Sequence, residues 1–214
     1  MVNVVVMGES MLELSSLGDK TCQLSFAGDV YNTAIYLKRL VKDKADVSFF
    51  TATGSDNQSL KMREDIGEHD ISTRYAQIID DRTVGAYFIE LQPNGERQFV
   101  YWRDKSAAKV MFNGLDTEAR EKLIKHTDMF YFSGISIAIL EPEQRNKLWS
   151  LIEEMKQKGT KVIFDSNYRL KLWESELIAK DAFEQAVAVS DIVFAGIEDY
   201  EMLYKTADRN KLLA

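Results

Sequence analysis

The sequence is poor in the residues that build disulfide frameworks and metal cages. Among its 214 residues are one cysteine, two histidines and two prolines. A single cysteine, Cys22, excludes an internal disulfide, and His69 and His126 lack the spacing typical of metal ligands. Basic residues are fewer than acidic ones, and the net charge of −7 disfavours nonspecific binding to nucleic acid. We therefore expect no metal cage and no nucleic-acid partner.

Long apolar runs are also missing. No run approaches the ~20 residues that a membrane-spanning helix requires. The chain starts directly with the strand-like residues 4–6, without the basic leader that is typical of a signal peptide. These features predict a cytoplasmic protein with no membrane partner.

What the sequence does contain is an alternation of short apolar runs and longer amphipathic stretches. The runs predict strands at residues 3–7, 47–51, 128–132, 161–165 and 191–195. The stretches between them predict helices at residues 32–41, 60–69, 117–126, 142–158 and 175–189. Uninterrupted apolar strands that alternate with helices indicate an α/β fold with a Rossmann-like parallel sheet covered on both faces.

Two segments depart from this alternation. Residues from about 11–26 and 74–102 alternate apolar and polar side chains with a period of two, which is typical of antiparallel strands with one wet face. We interpret them as a small β-sheet lid inserted in a single domain that spans residues 1–214, because no linker divides the chain.

The turn within the second segment predicts the register of a hairpin. Residues 93–95 read Pro-Asn-Gly, which suits a three-residue loop with the glycine in the left-handed conformation. That loop places Tyr87 opposite Tyr101 and puts both on one face with Arg103. A two-residue loop would instead place Tyr87 opposite Trp102.

The first candidate binding residues follow the strand at 161–165. Asp165, Asn167 and Arg169 have a two-residue spacing, and ligands of open α/β sheets bind beyond the carboxyl ends of strands. A guanidinium suits a carboxylate, and an amide suits hydroxyl groups. An Asp-Asn turn beside a surface arginine is the alternative interpretation.

A second group precedes the first helix. Gly28 would let a ligand approach the backbone, and Asp29 and Asn32 could bind hydroxyl groups of a sugar. The alternative is that Asp29 only caps the helix.

The predicted lid supplies a third group. Tyr87, Tyr101 and Arg103 lie on one face, although aromatic residues on such a face often only pack. The arginine favours binding, because a cation in that place needs a partner. After the strand at 128–132, Ser133-Gly134-Ile135 either brings backbone close to a ligand or forms a tight strand exit.

Together these motifs resemble a known family. They are Gly28-Asp29 with Asn32, Tyr101-Trp102-Arg103 followed by Ser106-Ala107-Ala108, Ser133-Gly134-Ile135, and Asp165-x-Asn167-x-Arg169 with Leu172-Trp173. In this order they resemble the ribokinase-type (PfkB) carbohydrate kinases, and within them the 2-keto-3-deoxygluconate kinases. The resemblance implies a ribokinase-type layered sheet and an enzyme that uses ATP and Mg²⁺ to phosphorylate a primary hydroxyl of a small sugar acid.

The resemblance also implies roles for individual residues. The residues expected to contact substrate are Gly28, Asp29, Asn32, Tyr87, Tyr101, Arg103, Ile135, Asn167 and Arg169. Those expected on the side of the phosphate and Mg²⁺ are Asp165, Glu198 and Asp199. A carboxylated sugar is favoured, because a neutral hexose would leave the cation of Arg103 unpaired.

The chain departs from the family pattern in two places. The family's acidic Asn-x-x-Glu element reads Gly196-Ile197-Glu198-Asp199 here, and no Gly-Ala-Gly-Asp-like motif occurs up to Ala214. We therefore assign no catalytic residue and expect the base beyond Ala214, in a fold truncated on its C-terminal side. The expected loss of neighbours for the strand at 191–195 predicts a homo-oligomer. A kinase for a neutral sugar, like fructokinase or ribokinase, and a non-catalytic fragment that binds a sugar acid remain alternatives.

Overall fold

A computed structural model describes residues 1–18, 20–92, 94–206 and 208. Its strands form two separate sheets. The strands are β1 (Val2–Met7), β2 (Met11–Gly18), β3 (Thr21–Ala27), β4 (Ala45–Thr53), β5 (Ala76–Ile78), β6 (Gly85–Leu91), β7 (Arg97–Trp102), β8 (Met129–Ser133), β9 (Lys161–Asp165) and β10 (Ile192–Phe194).

The larger sheet has six strands in the order β10-β9-β8-β1-β4-β5, and every neighbouring pair is parallel. All five of the predicted apolar strands lie in it, with boundaries shifted by no more than two residues. The predicted α/β class with a parallel sheet is confirmed.

Helices connect these strands. They are α1 (Asp29–Val41), α2 (Asn57–Glu68), α3 (Thr117–His126), α4 (Gly134–Ile139), α5 (Pro142–Gln157), α6 (Glu176–Val189) and α7 (Ile197–Tyr204). Pro142 begins α5 because it supplies no backbone N–H and the first turn of a helix requires none. Gly159 follows that helix with φ of +89°, a conformation that favours glycine.

Two hydrophobic clusters lie on opposite faces of the parallel sheet. Val5 and Met7 of β1 belong to one cluster, and Val4 and Val6 belong to the other. Because successive side chains of a strand point to opposite faces, a strand that is apolar at every position packs against both layers of helices.

The smaller sheet, which we call the lid sheet, has the order β3-β2-β6-β7. Its outer pairs are antiparallel, as predicted, but the central pair of β2 and β6 is parallel. The expected start of the second lid segment at residue 74 is wrong, because Ala76–Ile78 forms β5 and pairs with β4 of the larger sheet. The alternating pattern at residues 76–78 correctly predicts a strand, but this strand belongs to the parallel sheet and not to the lid sheet.

The β6–β7 hairpin has the register predicted from its three-residue loop. Tyr87 pairs with Tyr101, the Gln92 N–H donates to the carbonyl of Glu96 at 2.8 Å, and Gly95 has φ of +83°. Pro93, part of the same prediction, lies outside the described residues. The Tyr87 ring lies 5.7 Å from that of Tyr101, which confirms that the two share a face.

Candidate functional site

Polar side chains collect at the carboxyl edge of the parallel sheet, where β1, β8 and β9 end. These strands are neighbours in the sheet order, so the residues after Met7, Phe132 and Phe164 meet although they are distant in sequence. The chain also leaves this edge after β1 to form the lid sheet and returns to it at α1. The topology alone therefore joins the three groups of candidate residues.

Asp29 is the centre of this edge. Its Oδ2 accepts a hydrogen bond from Ser133 Oγ at 2.6 Å and another from Asn167 Nδ2 at 3.1 Å. The alternative in which Asp29 only caps α1 is wrong, because Gly28 occupies the cap position and no side chain caps the helix. Asp29 instead connects three elements that lie far apart in the chain.

The backbone around Asp29 is closely packed. A Cβ atom on Gly28 would lie 2.4 Å from the carbonyl oxygen of Glu9, and one on Gly134 would lie 2.0 Å from that of Ser166. Both distances are too short for a side chain, so glycine is required where these segments approach one another. Ile135, beside Gly134, is half-buried and packs against one hydrophobic cluster.

Asp165 ends β9 and lies partly buried beside Tyr131, whose hydroxyl donates to its Oδ2 at 3.0 Å. Burial and the negative charges of Asp29 and Asp199 raise the pKa of Asp165, and the hydrogen bond from Tyr131 only partly opposes this effect. Burial likewise raises the pKa of Tyr131. A proton or a cationic neighbour would therefore stabilise Asp165.

Asn167 and Arg169 follow in an irregular segment. Asn167 has φ of +31°, an uncommon conformation for a residue other than glycine that recurs at binding sites. Arg169 donates from Nη1 to the carbonyl of Tyr168 at 2.9 Å and lies 3.8 Å from Asp199, while 57% of its side chain remains exposed. Because Arg169 makes so few contacts, several of its N–H donors are available to an anionic ligand.

Ser166 is a residue of this edge that sequence reasoning gave no role. Its hydroxyl donates to Asp199 Oδ2 at 2.7 Å and accepts from the Gly196 N–H at 2.9 Å, which ties the end of β9 to the start of α7. Glu198, by contrast, is exposed. The negative charge of Asp199 contributes to the raised pKa of Asp165, so these two predicted phosphate-side acids lie near each other, whereas Glu198 forms no hydrogen bond or ion pair with either among the described residues.

The lid sheet carries an acid that sequence reasoning also missed. Glu13 on β2 accepts hydrogen bonds from the hydroxyl of Tyr87 and, at 3.3 Å each, from those of Ser15 and Ser25. Burial, and then the bond to Glu13, raise the pKa of Tyr87. Glu13 lies opposite Tyr87 because β2 pairs with β6, and no sequence motif predicts this pairing.

Arg103 is not the unpaired cation that the sequence predicts. Its Nη2 donates to Glu9, a residue 3% exposed, and the side chain of Arg103 is itself only 13% exposed. Ser106 donates to the other oxygen of Glu9. The expectation that a neutral sugar would leave Arg103 without a partner is therefore wrong, because Glu9 already supplies one.

Asn32 stands apart from these clusters. Its side chain is exposed on α1 and makes no hydrogen bond among the described residues. A recess of about 500 Å³ lies elsewhere, at the tip of the β6–β7 hairpin, and is lined by residues of the turn and of the start of β7. We regard the carboxyl edge as the site, because the titratable and hydrogen-bonding groups converge there.

The site has an excess of negative charge. Two guanidinium groups, those of Arg103 and Arg169, lie among five carboxylates, those of Glu9, Glu13, Asp29, Asp165 and Asp199. No group of three or more potential ligands that could hold a metal ion occurs in the described ranges.

None of the helices that the structure describes is long and apolar enough to cross a membrane.

A parallel sheet covered on both faces, with polar groups gathered at its carboxyl edge and a small sheet rising from that edge, is the architecture of α/β proteins whose ligand sites lie beyond the carboxyl ends of their strands. The chain belongs to the pfkB family of carbohydrate kinases, whose model matches residues 1–214. The family and the ribokinase-type fold predicted from the sequence are confirmed.

Individual relatives are consistent with this assignment. The chain is 37% identical over 203 residues to a 2-dehydro-3-deoxygluconokinase of Dickeya dadantii, with 94% of the chain and 65% of the relative covered. It is 38% identical over 202 residues to the enzyme of that name from Escherichia coli K12, with the same coverage. The chain thus spans about 65% of the length of these curated relatives. A crystal structure of 2-dehydro-3-deoxygluconokinase from Thermotoga maritima superposes with a TM-score of 0.82 at 24% identity, over 96% of this chain and 63% of that one.

Proposed function

We propose that the chain is the sugar-acid-binding portion of a 2-keto-3-deoxygluconate kinase, which is another name for a 2-dehydro-3-deoxygluconokinase. The observation that carries the proposal is the convergence of Asp29, Ser133 and Asn167 at one edge, from which the lid sheet rises. A carboxylate, a hydroxyl and an amide in hydrogen-bond contact are the groups that bind sugar hydroxyls. The relatives at 37% and 38% identity support the sugar acid as the ligand.

Each candidate residue has a role in this proposal. Arg169 binds the carboxylate of the sugar acid with the donors that its internal contacts leave over, and Arg103 adds a second guanidinium from the lid side. The remaining contacts, to hydroxyl groups and to the apolar face of the sugar, come from Gly28, Asp29, Asn32, Tyr87, Tyr101, Ile135 and Asn167.

ATP with Mg²⁺ is the proposed phosphoryl donor. Mg²⁺ in kinases is often held by one or two carboxylates together with phosphates and water, and Asp165, Glu198 and Asp199 have the required oxygen ligands. We propose that these acids lie on the phosphate side of the site and that the chain acts in the cytoplasm, where ATP is available. The catalytic base is not assigned to any residue of the chain.

Titration calorimetry of the 214-residue chain with 2-keto-3-deoxygluconate tests the proposal, because a sugar-acid-binding portion must bind this ligand. We expect Arg169→Ala to weaken binding of the sugar acid, measured by calorimetry, by roughly tenfold or more, because a charge-assisted contact is lost. Arg74→Ala is the matched control, since Arg74 is also half-exposed beside a carboxylate, that of Asp46 at the opposite edge of the sheet. Release of ADP in the presence of ATP and Mg²⁺ would show in addition that a catalytic base lies within the chain, whereas no binding of the sugar acid would contradict the proposal.

A kinase for a neutral sugar is the second candidate, and the Glu9–Arg103 pair is the observation that favours it. Because Arg103 is already neutralised, the lid offers no unpaired cation to a carboxylate. A panel of 2-keto-3-deoxygluconate, fructose and ribose decides between the two candidates. Preferential binding of fructose or ribose would contradict the sugar-acid proposal.

We also propose that the chain forms one domain and associates with a second copy through the side of β10 that pairs with no other strand among the described residues. Ile192 and Phe194 on this edge strand are 45% and 58% exposed, and Ile197, which begins α7, is 43% exposed. Exposed strand edges with apolar side chains favour pairing between chains.

A further inference from the structure

Glu9 is the one acidic side chain that is fully buried in the described part of the chain, with 3% of its surface exposed. It lies between β1 and β2, where the chain passes from the parallel sheet to the lid sheet. Its carbonyl oxygen packs directly on Gly28, which the proposed function places at the substrate. A buried carboxylate at this junction is costly unless its charge and both oxygens are satisfied.

Both oxygens of Glu9 are satisfied by the two ends of one turn. Arg103 donates to Oε2 and Ser106 donates to Oε1, while the Ser106 N–H closes the turn by donating to the Arg103 carbonyl at 3.1 Å. The turn therefore holds the carboxylate from two sides. Any displacement of Glu9 would have to move Arg103 with it.

The space for this pair is left by Gly85 at the start of β6. A Cβ atom there would lie 2.7 Å from Glu9 Oε1 and 3.3 Å from Arg103 Cβ. On the other side, the Arg103 guanidinium carbon lies 6.0 Å from the centre of the Tyr101 ring, within the range of a cation–π contact. Glu9, Gly85 and Tyr101 thus confine Arg103 from three directions.

We propose that Glu9 is a positioning residue that fixes which donors of Arg103 face the ligand and that sets the preference for an acid over a neutral sugar. The inference rests on the proposed function. Glu9 occupies one donor of Nη2 and offsets the charge of Arg103, so a ligand carboxylate meets the remaining N–H groups in a fixed direction but with reduced attraction. Glu9 therefore affects binding of the acid in two separable ways: it positions Arg103, and it reduces the attraction between Arg103 and the ligand carboxylate.

The test separates these contributions with two variants of Glu9. Glu9→Gln keeps the length and an oxygen acceptor but removes the negative charge, so 2-keto-3-deoxygluconate should bind at least about threefold more tightly. Glu9→Asp keeps the charge but is one methylene shorter, so Arg103 loses its position and binding of the acid should weaken by about tenfold. The methyl ester of the same sugar acid, which has no charge, should bind all three proteins equally well. Titration calorimetry measures each affinity.

The controls exclude a general effect of charge or stability. Arg120 and Glu154 form another Arg–Glu pair, between α3 and α5, so Glu154→Gln and Glu154→Asp should leave both affinities unchanged. Thermal unfolding verifies that each variant is folded. If Glu9→Asp does not fold, Ser106→Ala replaces it, because it removes one anchor of Glu9 without changing any charge; it too should weaken the acid and not the ester.

The outcomes are distinguishable. Opposite shifts for the two Glu9 variants, confined to the acid, support the positioning role. Equal shifts for the acid and the ester, shifts of one sign, or no shift would overturn it while the proposed function stands. Failure of the unaltered chain to bind the acid would overturn the proposed function and this inference with it.

Discussion

At the scale of single residues, most acidic side chains of the site are stabilised by hydrogen-bond donors that differ from one acid to the next. Asp29 and Glu13 are stabilised by hydroxyl and amide donors, Glu9 by a guanidinium, and Asp199 by Ser166. Asp165 differs, because burial and two neighbouring carboxylates raise its pKa. The ionised carboxylate of Asp165 therefore lowers the stability of the folded state.

The raised pKa of Asp165 predicts a pH-dependent effect of Asp165→Asn. Below the ordinary pKa of 3.8 the carboxyl group is protonated in the folded and unfolded states alike, so it carries no penalty. The penalty develops as the pH rises through 3.8 and is complete above the folded-state pKa. We expect the variant to melt at a higher temperature than the unaltered chain at pH 7 and at nearly the same temperature at about pH 3.

Asp191→Asn is the control of opposite sign. The backbone N–H of Val162 lowers the pKa of Asp191, so its ionised form stabilises the folded state above the ordinary pKa and this contribution is lost on acidification. That variant should melt at a lower temperature at pH 7. A gain from Asp165→Asn that is equal at both pH values would contradict the assignment of the effect to ionisation.

At the scale of elements, the β6–β7 hairpin shows what the sequence could predict. The loop at 93–95 set the register, and the register put Tyr87 and Tyr101 on one face. The strand that lies beside this hairpin was not predictable, because β2 pairs with β6 in parallel between residues 74 positions apart and no local motif specifies such a pairing. Glu13 was missed for this reason, and so was the bond between Glu9 and Arg103.

The same reasoning explains where the sequence was sufficient. The apolar strands and the Asp165-x-Asn167-x-Arg169 spacing are local features; the strands lie within two residues of their predicted bounds, and the three polar residues lie at and just after the end of β9. The assumption that Arg103 needs an external partner failed, because the side chain that neutralises it is 94 residues away. Local sequence patterns were sufficient to place these side chains on the strands and loops. Which charged side chains pair with one another depended on tertiary contacts between distant residues.

The hairpin also allows a matched pair of substitutions. Tyr87→Phe removes a buried hydroxyl that donates to Glu13, so the free energy of unfolding should fall by about 1 kcal/mol. Tyr101→Phe should leave it unchanged, because the exposed hydroxyl of Tyr101 makes no hydrogen bond among the described residues and its ring contacts remain. Chemical denaturation measures both; equal losses would show that the bond to Glu13 contributes nothing to stability.

At the scale of the whole molecule, the parallel sheet has two unlike edges. Both edge strands have three residues, but β5 exposes one large apolar side chain, that of Ile78, whereas β10 exposes two, those of Ile192 and Phe194. An apolar edge of this kind is the surface through which we propose that two copies associate.

Phe194→Lys tests that association. A charge on the edge strand should lower the mean mass measured by light scattering toward that of a monomer, because charged side chains oppose edge-to-edge pairing. Leu40→Lys is the control, since Leu40 is 81% exposed at the end of α1, a helix outside the edge. A monomeric mass for the unaltered chain across a wide range of concentration would contradict the proposed dimer.

The contacts of Asp29 have a consequence for the order of folding. Its partners Ser133 and Asn167 are 104 and 138 residues away, so the cluster closes only after β8 has docked beside β1 and β9 beside β8. Such distant contacts carry a large loop-closure entropy and form late. A ligand bound at this edge would then stabilise the native state without stabilising the transition state, and it would slow unfolding while leaving the rate of refolding unchanged.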